Sequence, residues 1–72
     1  MPKYYSRDDE ALIRAATPDE VRAGRPAYEY YDRKADTWAP DNGIGLSVVT
    51  GDAVMISAAD AEALRAKLRS RA

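Results

Sequence analysis

The sequence predicts a small α+β domain, and three observations carry that expectation. Helix-capping chemistry stands at Thr17-Pro18-Asp19-Glu20 and again at Ser57-Ala58-Ala59-Asp60. The Tyr-rich stretch from Ala27 changes to a period of two, as a strand does. Two apolar runs, Leu46–Thr50 and Ala53–Ser57, flank a Gly51-Asp52 dipeptide suited to a two-residue turn. The expected architecture is a single domain over residues 1–72. It has short helices in its N-terminal third, then a small antiparallel sheet of about three strands with a tight hairpin at Gly51-Asp52. A C-terminal helix packs on that sheet.

Taken in order, Met1–Tyr5 reads as extended, with Tyr4 and Tyr5 free to pack on the next element. Ser6 suits an N-cap, and Asp8, Asp9 and Glu10 suit the positive first turn of a helix over residues 7–16 with Leu12, Ala15 and Ala16 as its inner stripe. Thr17-Pro18-Asp19-Glu20 is a capping box with Pro at the first helical position. This second helix runs to Ala23, ends at Gly24 and is stopped by Pro26. In the Tyr-rich strand, Tyr28, Tyr30 and Asp32 face one way and Glu29, Tyr31 and Arg33 the other.

Asp36–Gly45 carries Pro40, Asp41, Asn42 and two glycines and reads as a loop, pinned to the core by Trp38. The hairpin over residues 46–57 is apolar on both faces and so requires cover on both. Ser57 caps the last helix, Asp60 stands at its third position, and Ala61, Leu64 and Leu68 form its buried stripe.

Composition bounds the function. The chain has 72 residues with no Cys and no His, which removes disulfides, thiolate chemistry, the usual neutral-pH general base and the commonest metal ligands. Eleven cations against twelve anions leave a net charge of −1, so a nucleic-acid partner is not expected. No apolar run approaches the roughly 20 residues that span a bilayer, and a cytoplasmic protein with no membrane association is expected. The excess of Arg over Lys and the abundance of Ala fit a GC-rich bacterial or phage genome. Fourteen of the apolar residues are Ala and five are Tyr, with four Leu, four Val, three Ile and no Phe. A core that thin leans on a partner or a second copy.

Individual residues add little chemistry. Gly43-Ile44-Gly45 lacks the third glycine and the succeeding helix of a phosphate-binding loop. Asp36, Asp41 and Asn42 do not have the spacing of a calcium loop and serve as turn residues. Arg65, Lys67, Arg69 and Arg71 complement a helix C-terminus. No nucleophile has an adjacent base, and neither an enzyme nor a bound cofactor is expected.

The aromatics are the remaining signal, because each tyrosine combines an apolar body with a polar tip. The expectation is a non-catalytic protein–protein interaction module: a small regulator, inhibitor or adaptor. Its partner is held by Tyr28, Glu29, Tyr30, Tyr31 and Arg33 of an edge-strand segment together with Trp38 of the following loop, and self-association through that edge into a homodimer would relieve the thin core. The alternative is a winged-helix-like DNA binder, built on the two N-terminal helices with the hairpin as its wing.

Overall fold

The computed structural model describes residues 1–40, 43 and 45–71. Its class is α+β, and its sheet has five antiparallel-paired strands in the order β4-β3-β2-β1-β5. The strands are β1 (Lys3–Arg7), β2 (Ala11–Ala15), β3 (Tyr28–Asp32), β4 (Thr37–Pro40) and β5 (Val54–Ile56). Three helices join them among the described residues: α1 (Pro18–Arg22), α2 (Leu46–Thr50) and α3 (Ala58–Ser70).

The expected N-terminal helix over residues 7–16 is instead the hairpin β1–β2, with Ser6 opposite Leu12 and Tyr4 opposite Arg14. Its polar signal fits either structure. Ser6 Oγ does accept the Asp9 amide at 3.3 Å, as an N-cap would. Here, however, the bond stabilises a turn in which Glu10 N–H donates to Arg7 C=O at 3.0 Å. Asp8 and Asp9 both take left-handed φ, 54° and 56°, a conformation that the central residues of a hairpin turn require and that Asp tolerates.

The sheet therefore has five strands rather than about three. A further one, β4, lies inside the segment read as a loop: Thr37–Pro40 pairs with β3, Trp38 opposite Tyr31. Asp41, Asn42 and Ile44 from that segment lie outside the described residues. The hairpin over residues 46–57 is also overturned. Leu46–Thr50 is helical, and Gly51, at φ 86°, closes that helix instead of turning a hairpin. Its supposed partner β5 pairs with β1, Met55 opposite Tyr5.

Two capped helices form as expected. Thr17 Oγ1 accepts the Glu20 amide and the Glu20 carboxylate accepts the Thr17 amide, completing the box at the start of α1. Ser57 caps α3, which buries Ala61, Leu64 and Leu68. These side chains meet Leu12 and Tyr31 in the main core, with Tyr4, Trp38 and Ile56 packed against it.

Opposed residues on paired strands share a face. Tyr4, Ser6, Leu12, Arg14, Glu29, Tyr31 and Trp38 therefore look towards α3, and Tyr5, Ile13, Tyr28 and Tyr30 look away. β4 and β5 run in the same direction at opposite edges of the sheet. Arg7 of β1 and Leu46, Ser47 and Thr50 of α2 line a common depression, and Ile13, on the face away from α3, is wholly buried.

Candidate interaction surface

The six residues expected to hold a partner do not form one surface. β3 is paired to β2 on one side and β4 on the other, so it offers no free edge. Tyr31 is a core residue. Its hydroxyl donates to Asp36 Oδ1 at 2.6 Å, its ring meets Trp38 edge-on at 6.0 Å, and the Arg65 guanidinium lies 5.5 Å from the ring centre. The Tyr31 hydrogen bond, followed by Arg69 and Arg65, holds the Asp36 carboxyl below its ordinary value. Arg65 and Arg69 are thus occupied in tying α3 to the β3–β4 turn, with Asp36 at 3.5 and 3.7 Å.

Glu29 is buried as well, inside an ion-pair network. Arg25 Nε donates to it at 2.6 Å, and Arg14 Nη1 stands 3.6 Å away. Arg14 also donates to Glu20 at 2.5 Å, and Arg25 reaches the same carboxylate at 3.2 Å. Glu20 therefore completes the capping box and pairs two arginines. The Thr17 amide and then Arg14 pull its pKa from 4.5 to about 2. This network fastens α1 to the end of the sheet.

Tyr28 and Tyr30 are half-buried on the other face, Arg33 is exposed in the β3–β4 turn, and Trp38 is half-buried against the core. Tyr28 joins Lys3, Tyr5, Ala15, Thr17 and Asp19 around a shallow cleft of about 620 Å³. Its rim holds one ammonium and one carboxylate, with no nucleophile beside a base. A second cleft, about 300 Å³, contains Ser6, Asp9, Asp60 and Lys67. There the Ser6 hydroxyl is already engaged with Asp9 Oδ1 at 3.2 Å, within the β1–β2 turn. Among the described residues no three His, Cys, Asp or Glu side chains gather to hold a metal ion. No helix among them is long and apolar enough to cross a membrane.

The largest departure from ordinary burial lies elsewhere. Leu46, Val49, Val54 and Met55 are 64%, 73%, 66% and 59% exposed. All four belong to α2 and β5, which a short link joins and the Ala53 N–H to Ser47 C=O bond, 2.9 Å, holds together. Solvent-facing apolar side chains gathered in one segment mark contact surfaces more often than single ones do. β5 is also an edge strand, with β1 as its one neighbour in the sheet. The other edge, β4, ends in Pro40, which has no amide to offer a new strand. β5 carries neither Pro nor charge.

Reading the sequence alone missed this margin, although its signal was present: the segment over residues 46–57 is apolar on both sides. No family model matches this chain, and neither a curated protein nor a solved structure is found to match it.

Proposed function

We propose that this chain is a non-catalytic protein–protein interaction module whose contact surface is the margin formed by α2 and β5. The observation that carries the reading is the exposure of Leu46, Val49, Val54 and Met55 beside an edge strand without protecting Pro or Lys. An extended segment of a partner adds to such an edge through main-chain hydrogen bonds, while neighbouring apolar side chains supply contact area. Of the residues first expected to bind, Glu29 and Tyr31 are committed to the interior. Tyr28, Tyr30 and Arg33 remain accessible at a distance from the core contacts. The winged-helix alternative loses its support, because residues 7–16 are strand and turn and residues 46–57 form no wing.

The test is a comparison of two baits in an extract of the native host, wild type against Val49→Asp/Val54→Asp. Circular dichroism first establishes that both are folded. Proteins retained by wild type and released by the double variant are the expected result. An identical set on both baits refutes the assignment of this margin.

A further inference from the structure

We infer that the partner of the β5 margin is a second copy of this chain, joined by antiparallel β5–β5 pairing about a two-fold axis at Met55. The inference builds on the reading of that margin as a contact surface and names its occupant. It rests on the hydrogen-bonding sense of each strand, which can be traced across the sheet.

Ala16 N–H donates to Ala27 C=O at 2.9 Å, so Ala16 and Ala27 are a hydrogen-bonded pair. Bonded and non-bonded pairs alternate along an antiparallel ladder. Arg14 and Glu29 are then bonded, and Ile13 directs its amide and carbonyl the other way, towards Tyr5 on β1. Tyr4 and Ser6 in turn face β5, where they meet Ile56 and Val54. Met55, between those two, directs both its N–H and its C=O outward, away from the sheet.

One outward residue between two inward ones is self-complementary. Placed opposite Met55 of a two-fold-related copy, it exchanges both main-chain bonds in a single bonded pair. The register then sets Val54 across from Ile56 of the other copy and Asp52 across from Ala58, so no like charges are opposed. Residues 43–59 carry one charge, Asp52, and electrostatic repulsion does not keep two copies apart. On β4 the outward residues are Trp38 and Pro40, and Pro40 has no amide with which to carry a ladder beyond Trp38. The product is a continuous sheet across both copies. So short a strand gives a small interface and a readily reversible dimer.

Sedimentation equilibrium of the full chain over a concentration series tests this. Wild type is expected to show a monomer–dimer equilibrium. Met55→Lys and Met55→Glu put like charges across the axis and remove apolar packing there, and each is expected to weaken association by about tenfold or more. An equimolar mixture of the two is expected to recover dimers containing one copy of each. Met55→Pro, which removes an N–H that bonds nothing within one copy, is expected to be folded and monomeric. A wild type that is monomeric throughout overturns the inference, as does association of Met55→Lys equal to that of wild type. A monomeric wild type that still loses a host protein on Val49→Asp/Val54→Asp refutes self-pairing alone and leaves the contact surface standing.

Discussion

The two helices that flank β5 in the chain are packed very differently. α3 has 13 residues and buries Ala61, Leu64 and Leu68, whereas α2 has 5 and buries Ser47. At 1.5 Å per residue these are roughly 20 Å and 7 Å of cover, against a sheet of five strands spaced about 4.8 Å apart. The long helix spans the central strands and seals Leu12, Tyr31, Leu64 and Leu68 from water. The short one leaves Leu46 and Val49 facing solvent. The same kinds of side chain are core on one helix and surface on the other. The difference lies in how much helix is available to cover them, and hydrophobicity alone does not decide it.

The α3 side is where a single substitution should do most damage. Leu68 is 2% exposed, and Leu68→Ala is expected to cost about 2–5 kcal/mol. In a domain of this size that lowers the thermal midpoint by roughly 10 °C or more, readable by calorimetry or circular dichroism. A midpoint unchanged by the substitution would show that α3 is not part of the core, and the contrast between the two helices would collapse.

At the α1 end of the sheet the probe is pH. Glu20 has a folded pKa of about 2 against an ordinary 4.5, a depressed value. The unfolded chain therefore binds more protons in that interval, and the stabilisation is complete above 4.5 and lost as the pH falls towards 2. Thermal midpoints measured down that range are expected to fall. Glu20→Gln should start lower at neutral pH, because Arg14 loses its carboxylate, and should show a shallower acid limb. Equal acid limbs in the two proteins would remove Glu20 as the cause.

The α2–β5 margin should respond least. Val49→Thr is isosteric at a 73% exposed position and is expected to change stability by less than about 0.5 kcal/mol. A denaturant titration showing a loss several times larger would mean that α2 is packed more tightly than its exposure indicates.

Much of the candidate surface was illegible in the sequence for a definite reason. Tyr28 to Tyr31 have the alternation of a strand, which is how they fold, but alternation does not reveal whether a strand is central or at an edge. Pairing partners do, and here β2 and β4 occupy both sides of β3. Glu29 looked like an accessible acid beside a tyrosine. It is buried because Arg14, fifteen positions earlier, is brought opposite it by the register.

The elements legible from residue order alone are those specified within a few positions. The Thr17–Glu20 box, the Tyr28–Asp32 strand and the Ser57-capped helix with its Ala61, Leu64 and Leu68 stripe are of this kind, since each signal is closed by local hydrogen bonds or a sustained period. The β1–β2 hairpin, β4 and the helical state of Leu46–Thr50 had to await the packed chain. Those segments are four or five residues long, too short for periodicity to separate helix from strand. Their local cues serve two conformations: a serine before acids begins a helix or closes a turn, and a glycine at positive φ ends a helix or bends a hairpin. Long-range pairing breaks the tie. β5 pairs with β1 and β4 with β3, contacts that no short stretch of sequence encodes.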